Sequence, residues 1–236
     1  MRKLVLFALL LLLTGCGVDE EAIKEDIKQD LLDEIFDIDD FNNHLIEVTN
    51  SSKLCTVSII NTLPNNSTTL GSGVIYNNDD NEYLILTNEH VTRYNTSLEV
   101  YIPSENAYIE SELIRVDVEK DLAILKITTL EELSICSFAP TDYEVGEIVF
   151  SIGASTSLDY SNTVTLGIIS RIDDRIQHDA AINNGNSGGP LFNIHGEIIG
   201  LNVSKLNTSV TGDQQVFVEG MSFSIPIEVI LDFIED

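Results

Sequence analysis

The spacing of apolar residues divides this chain into a helical lead-in and a β-rich body. In the lead-in, apolar residues recur every four positions at Ile23, Ile27, Leu31 and Ile35, which places them on one face of a helix. Beyond residue 50 the pattern changes to short runs rich in β-branched residues, separated by turn residues. Many short strands at such intervals predict an all-β barrel or sandwich.

Turn residues separate the strand-like runs, and a short helix is predicted to follow the last of them. The segment 77–81 is predicted to form a hairpin loop, because it lacks the Gly and the closing Glu of a calcium loop. His195-Gly196 is predicted to form a second hairpin turn. Pro226 opens a final helix over 227–234, where its missing N–H costs nothing. The predicted strands are 55–60, 73–76, 82–86, 98–102, 123–127, 148–152, 163–169, 191–193, 197–203 and 221–225.

The lead-in, residues 16–50, is strongly acidic, and two interpretations of its helix are open. Its apolar stripe packs on the body while the acidic side chains are solvated, or the helix is an arm for oligomerisation or for a partner. Residues 51–236 then form a single domain, because a chain of 236 residues has room for one sizeable core.

Charge excludes two classes of partner. The chain carries 39 acidic and 12 basic residues, a formal net charge of -27. Binding to nucleic acid requires clustered Lys and Arg, and so does electrostatic docking on anionic lipid. A hydrophobic content of 43% is ordinary for a folded domain, so the charge belongs to the surface of a globular protein.

The first fifteen residues resemble a bacterial lipoprotein signal. Arg2 and Lys3 precede the apolar run 4–13, which is too short to span a bilayer, and Cys16 follows shortly after. We therefore expect residues 1–15 to be a signal peptide and Cys16 to be lipidated, so that the exported protein is anchored to the cell envelope membrane. An ordinary secretory signal and an uncleaved anchor are the alternatives.

The two remaining cysteines, Cys55 and Cys136, each lie among apolar residues. Export permits a disulfide between them, and two buried thiols explain the pattern equally well. No CxxC or HExxH pattern occurs, so we expect neither a metal site nor a cofactor.

Three distant residues together predict nucleophilic catalysis. Ser187 lies in the glycine-rich segment 185–190, His90 follows an apolar run, and Asp121 begins another. A serine hydroxyl becomes a good nucleophile when an imidazole removes its proton, and the imidazole in turn needs a carboxylate to orient it. The glycines let the chain turn so that the N–H groups of Gly185 and Ser187 face the oxyanion of a tetrahedral intermediate.

These segments resemble the HtrA (Deg) branch of the trypsin-like serine peptidases. The resemblance covers about residues 51–230 and implies an all-β fold of two perpendicular six-stranded β-barrels, with an acidic N-terminal helix and a short C-terminal helix added. In the cleft between the barrels, His90 is implied to be general base and then acid, Asp121 its orienting partner and Ser187 the nucleophile. The segments that carry the resemblance are 71–75, 87–91, 121–127, 150–153, 167–170, 179–191 and 196–202.

Some family features do not carry over. HtrA proteins usually have PDZ domains after the protease, and no PDZ-like segment is recognised here. Activation through such a domain is therefore not expected, while a homotrimer through the protease domain is possible. The loop 155–161 matches the family's activation region in position alone.

The resemblance also implies a primary substrate pocket. It places Ala181, Ile182, Leu201, Val203 and Ser222 around the pocket, and none of these is an acid. We therefore expect a small or medium aliphatic residue before the cleaved bond, and we do not expect the Arg or Lys preference of trypsin. The remaining histidines are expected to be surface or loop residues without a catalytic role: His44, His178 and His195.

Three functions are compatible with these features. The first is a lipid-tethered endopeptidase that cleaves unfolded or extended envelope polypeptides. The second is a weakly active, chaperone-like protein that binds peptides in the cleft, and the third is a dedicated processing protease. The complete triad favours an enzyme, whose activity is predicted to rise as His90 loses its proton.

Overall fold

The computed structural model describes residues 24, 38–205, 208–211, 214–217 and 220–235, without the side chains of 204, 205, 208–211 and 214–217. The chain divides into two compact units, residues 1–44 and 45–236. The predicted signal peptide, the lipidated Cys16 and the apolar stripe with Ile23, Ile27, Leu31 and Ile35 lie outside the described residues.

The first half of the body is a seven-stranded antiparallel sheet that follows a helix. The strands have the order β5-β4-β1-β2-β3-β7-β6, and a short helix, α2, interrupts them after β3. The bounds of these elements are α1 Ile38–Leu54, β1 Thr56–Thr62, β2 Thr68–Asp79, β3 Glu82–Thr87, α2 Glu89–Thr92, β4 Ser97–Ile102, β5 Ala107–Glu110, β6 Glu112–Asp117 and β7 Leu122–Thr128.

The two edges of this half-barrel sheet are successive pieces of the chain. Strand β5 pairs with β4, and β6 pairs with β7, while Ser111 alone separates β5 from β6. Counted as one bent strand, β5 and β6 give the first barrel the six strands that the sequence implied. No strand was predicted here, although both segments are rich in apolar residues; most of these are exposed in the structure, namely Tyr108, Leu113, Ile114 and Val116.

The second half is a closed six-stranded barrel with a hairpin and a final helix. The barrel order is β10-β15-β12-β11-β8-β9, and its filling includes the stacked rings of Phe150 and Phe192, whose centroids are 5.1 Å apart. The trypsin-like two-barrel fold is thus confirmed. The elements are β8 Ile148–Gly153, a 3₁₀ turn Leu158–Tyr160, β9 Thr163–Ile172, β10 Ile176–His178, β11 Pro190–Asn193, β12 Ile198–Lys205, β13 Thr208–Thr211, β14 Gln214–Phe217, β15 Ser222–Pro226 and α3 Ile227–Glu235.

The turns follow the sequence prediction. Strands β2 and β3 meet at Asp80 and Asn81, and β11 and β12 meet around Gly196, whose φ is +76°. Helix α3 begins directly after Pro226. Among the helices of the described ranges, none has the length and apolar character that crossing a membrane requires.

A disulfide joins Cys55 and Cys136. The sequence alone had left open whether these two cysteines pair. Their Cα atoms lie 5.8 Å apart, although 81 positions separate them in the chain. Ile75 of β2 fixes both segments, because its N–H donates to Cys55 O and its carbonyl accepts from Cys136 N, at 2.8 and 2.9 Å. The bond therefore ties the connection between the barrels to the start of the first sheet.

Reduction of this disulfide is expected to lower the thermal stability markedly. Closing a loop of this length in the unfolded chain corresponds to about 4 kcal/mol, or a fall in Tm of about 10 °C for a domain of this size. Differential scanning calorimetry with and without a phosphine reductant measures the shift. The Cys55→Ala/Cys136→Ala double variant should have the Tm of the reduced protein, and the reductant should not change it. A wild-type Tm that is the same with and without reductant would contradict the prediction.

Candidate active site

His90 and Asp121 form a tight pair at one end of the first sheet. His90 lies in α2, immediately after β3, and its Nδ1 is 2.9 and 3.0 Å from the two carboxylate oxygens of Asp121. The backbone N–H of His90 also donates to Asp121 Oδ1 at 3.0 Å. This arrangement fixes the ring so that Nδ1 carries the proton and Nε2 remains available as a base.

The backbone of Asp121 is held in an unusual conformation that aims its carboxylate at His90. Its φ is +57°, in the left-handed region that Asp and Asn tolerate better than other side chains. Asn88 supports it, because its Nδ2 donates to Asp121 O at 2.9 Å. A role for Asn88 was not predicted from the sequence, although it lies two residues before His90.

The carboxyl group of Asp121 is kept ionised. Burial is the largest influence and raises its pKa, but the hydrogen bonds and charge of His90, together with the charge of Arg175, outweigh it and leave the pKa lowered. An ionised Asp121 stabilises the imidazolium that forms when His90 accepts a proton.

The turn before β11 needs glycine at two positions. Gly185 has φ +96°, and a Cβ there would lie 2.0 Å from Ala154 O. Gly188 has φ +80°, and a Cβ would lie 2.2 Å from Thr87 Oγ1 and 2.3 Å from Ser72 O. Any side chain would therefore displace this nucleophile turn, residues 185–190, from the segment that leads into His90.

Ser72 of β2 joins the nucleophile turn to the first sheet. Its Oγ donates to Gly185 O at 2.7 Å and accepts from Ala154 N at 2.9 Å, while its N–H donates to Ser187 O at 2.8 Å. Thr87 in turn donates to Ser72 O at 2.7 Å. The Ser72 hydroxyl was not predicted to matter; the only signal was its place between two glycines in a segment that carries the family resemblance.

The N–H groups of Gly185 and Ser187 are available to a ligand. Neither donates a hydrogen bond within the described part of the chain. Thr156 N donates to Asn184 O at 2.6 Å, and the N–H of a trans peptide points opposite to its carbonyl. The Gly185 N–H is thus directed away from Thr156. Two free donors on one turn are suited to holding an oxyanion.

The hydroxyl of Ser187 donates to a main-chain carbonyl. Its Oγ is 2.8 Å from Val203 O, and no hydrogen bond joins His90 to Ser187 across the described residues. The carbonyl is accessible because the pairing of β12 with β15 shifts register between Asn202 and Ser204, leaving Val203 as the bulged residue. A hydroxyl has one proton, so its transfer to His90 requires the hydrogen bond from Ser187 Oγ to Val203 O to break first.

The family of the chain follows from a sequence comparison. A model described as a trypsin-like peptidase domain matches residues 71–201, a stretch that contains His90, Asp121 and Ser187. The chain belongs to the trypsin-like peptidases. The serine-peptidase class predicted from the sequence is thereby confirmed.

Individual relatives of this trypsin-like peptidase are serine proteases. It is 35% identical over 180 residues to the serine protease Do-like HtrA of Lactococcus lactis, covering 70% of this chain and 43% of that protein. It is 38% identical over 172 residues to a probable periplasmic serine endoprotease, DegP-like, of Halomonas elongata, covering 69% and 34%. The serine endoprotease structure from Yersinia pestis matches with TM-score 0.69 and 31% identity, covering 81% and 65%. The match thus spans less than half of either curated relative.

The residues assigned to the primary pocket of the peptidase differ in exposure. Ile182, Leu201 and Ser222 are buried, with Leu201 in the hydrophobic core, whereas Ala181 is exposed and Val203 half-buried. Ala181 and Val203 are therefore the two of these residues that solvent reaches to a substantial extent.

A cavity of about 510 Å³ lies on the other side of the nucleophile turn. Asn184 and Gly185 form one wall of it, and strands β1 and β2 form another. No charged side chain lines this cavity, in contrast to the acidic surface of the protein. Its remaining lining residues are Ile60, Thr68, Thr69, Leu70, Thr156, Ser157 and Leu158.

His178 lies in the interior, so the expectation of a surface or loop position was wrong for this residue. It is fully buried in β10, and its Nε2 is 3.0 Å from Ser224 Oγ. Burial lowers the pKa of His178 to about 4, although the neighbouring Asp179 charge opposes the shift. Sequence position alone could not show this, because a histidine at a strand end faces either side.

Burial of neutral His178 predicts a loss of stability in acid. The unfolded imidazole takes up a proton near pH 6.5, whereas the folded one does so near pH 4, so stability falls as the pH decreases between these values. The loss reaches about 3 kcal/mol. Urea unfolding of the wild type and of His178→Gln across this range measures it: the free energy of unfolding of the wild type should fall more steeply. Parallel pH dependences would contradict the prediction.

No group of three or more His, Cys, Asp or Glu side chains within the described ranges is arranged to hold a metal ion.

Proposed function

We propose that this chain is a serine endopeptidase that hydrolyses peptide bonds in exported or misfolded polypeptides. One observation carries the proposal: an imidazole oriented by a carboxylate belongs to the segment that packs against the nucleophile turn. Gly188, the residue after Ser187, is in contact distance of Thr87 and Asn88, which directly precede the helix of His90.

The reaction proceeds in two transfers. Ser187 Oγ attacks the scissile carbonyl carbon while its proton passes to His90 Nε2, and the oxyanion accepts hydrogen bonds from the N–H groups of Gly185 and Ser187. His90 then gives the proton to the leaving amine, and an acyl-enzyme forms. A water molecule attacks the ester, again losing its proton to His90, and Ser187 recovers its hydroxyl proton when the acid leaves.

Binding of the substrate has to free the hydroxyl before the first transfer. Ser187 donates to Val203 O, so the substrate must compete for that carbonyl. A substrate segment lying along β12 offers backbone N–H groups that can replace the hydroxyl there. The nucleophile then becomes available to His90 when a peptide occupies the cleft.

The lining residues support a preference for uncharged side chains. The proposed acyl-side pocket has Ala181 and Val203 at its surface, with Ile182, Leu201 and Ser222 buried, and none of the five carries a negative charge that could pair with a Lys or Arg side chain. A methylene-sized difference in such a pocket changes the selectivity by about 1–3 kcal/mol. The leaving-group side is proposed to use the uncharged cavity beside Gly185.

We also propose that the peptidase is exported and anchored through lipid on Cys16. The relative from Halomonas elongata is called periplasmic, which supports export, and the anchor rests on the sequence pattern alone. A homotrimer is a further prediction that size-exclusion chromatography with light scattering decides.

A weakly active peptide-binding protein is the second candidate, favoured by the bond between Ser187 and Val203 O. Incubating residues 38–236 with unfolded casein and with a fluorophosphonate probe separates the candidates. Cleavage at many sites supports the general endopeptidase. Labelling of Ser187 without casein cleavage supports a dedicated processing protease, and neither signal supports the binding protein.

A further inference from the structure

A buried chain of hydrogen bonds runs from β10 to the nucleophile turn. His178, Ser224 and Asn202 are each fully buried. His178 Nε2 lies 3.0 Å from Ser224 Oγ, and Ser224 Oγ donates to Asn202 Oδ1 at 3.0 Å. The sequence indicated none of this, because the three residues lie on three different strands.

The direction of this chain follows from counting protons. The single hydroxyl proton of Ser224 goes to Asn202 Oδ1, so Ser224 must accept from His178 at its oxygen. His178 therefore carries a proton on Nε2, and burial, which lowers its pKa to about 4, keeps it neutral at pH 7. Its Nδ1 has no hydrogen-bond partner among the described residues.

Asn202 passes this orientation to the nucleophile turn. Its Nδ2 lies 2.8 Å from Gly189 O, 3.0 Å from Pro190 O and 2.7 Å from Ser151 Oγ, so its two protons are shared among these three acceptors. Its backbone N–H also donates to Gly189 O, and its carbonyl accepts from Gly188 N, both at 2.8 Å. Asn202 thus binds the peptide units that directly follow the nucleophile.

The turn is held between Asn202 and the first sheet. On the opposite side, Gly188 approaches Ser72 O and Thr87 so closely that a Cβ would be 2.3 and 2.2 Å from their atoms. A shift of the turn away from the sheet requires the hydrogen bonds to Asn202 to lengthen. Asn202 therefore limits the direction in which the turn has room to move.

We propose that Asn202 is a positioning residue for the nucleophile turn, and that His178 and Ser224 fix the orientation of its amide. The inference rests on the proposed function, because it assigns a task within that reaction. If Ser224 donated to His178, or were absent, Asn202 Oδ1 would lose its donor. The amide would then be held from its nitrogen end alone, with a buried oxygen left without a donor, so that its bonds to the carbonyls of Gly189 and Pro190 would be less well fixed.

Three substitutions test this chain of hydrogen bonds and leave His90, Asp121 and Ser187 unchanged. Ser224→Ala removes the donor to Asn202 Oδ1 and His178→Leu removes the donor to Ser224 Oγ, whereas His178→Gln keeps an amide N–H near the position of Nε2. The matched control is Val149→Ala, a buried apolar change in the same barrel that removes no side-chain hydrogen bond. All are compared below their own melting temperatures, with a peptide substrate and with a fluorophosphonate.

Ser224→Ala should lower kcat about tenfold or more, since small displacements of reacting groups are costly, with KM little changed. His178→Leu should lower kcat less, because Ser224 can still donate to Asn202 Oδ1 but is no longer held in that direction. His178→Gln should recover most of kcat, and Val149→Ala should retain it. Equal kcat in Ser224→Ala and wild type overturns the inference, as does an equal loss in His178→Gln and His178→Leu, while the endopeptidase proposal stands.

A wild type that neither cleaves peptide nor reacts with the fluorophosphonate would reject the proposed function. Amide hydrogen exchange then still tests the positioning role of Asn202. In that case the N–H of Gly188 should exchange faster in Ser224→Ala than in Val149→Ala. Equal exchange in the two variants overturns the positioning role on its own.

Discussion

Replacing Ser187 by alanine is expected to reduce kcat for peptide hydrolysis by about 10,000-fold or more, because no other group can form the acyl-enzyme. The residual rate would come from binding and from the N–H groups of Gly185 and residue 187. Removal of one hydroxyl from a half-buried position should leave the fold intact. Steady-state kinetics with a casein-derived peptide and covalent labelling by a fluorophosphonate give the measurement.

Ser170→Ala serves as the matched control, because Ser170 is an exposed serine on β9 of the same barrel. It should keep full activity and full labelling. Hydrolysis by Ser187→Ala at more than about a tenth of the wild-type rate would show that another group is the nucleophile. An unchanged Tm in both variants separates this result from loss of folding.

Replacing Asp121 by asparagine is expected to lower kcat by about 10,000-fold at neutral pH. Asparagine has the same shape and also tolerates the left-handed backbone at φ +57°, so the change isolates the charge. Its amide nitrogen can face His90 Nδ1 only when that atom is unprotonated, which puts the ring proton on Nε2. The base then has no free lone pair for the Ser187 proton.

The pH dependence of Asp121→Asn gives a second reading. His90 lowers the pKa of Asp121 in the folded protein. The pair therefore stabilises the native wild type at pH values above the pKa of the carboxyl group in the unfolded chain. This stabilisation is lost as the pH falls through the lower pKa of the folded protein. The variant should lose that part of the acid dependence. Asp79→Asn, in the exposed β2–β3 hairpin, is the control; retention of more than about a tenth of kcat in Asp121→Asn contradicts the assigned role.

Local patterns carried the fold class and the candidate chemistry. Short runs of β-branched residues between turn residues predicted the strands. The nucleophile turn could be recognised from its glycines. Gly185 and Gly188 have positive φ, a conformation that glycine adopts more readily than other residues. Strands β5 and β6 were missed although they contain strand-forming residues such as Ile109, Ile114 and Val116.

Contacts between distant residues were decided by the tertiary structure alone. Ser72 Oγ meets Gly185 O across 113 positions of sequence, and Cys55 meets Cys136 across 81. His178 is buried because β10 turns it inward, and Ser187 faces Val203 O because a bulge exposes that carbonyl. Sequence by itself determined which residues can do chemistry, since reactivity and backbone freedom belong to residue type. The structure determined which of them meet, since distance and hydrogen-bond direction arise only when the strands have paired.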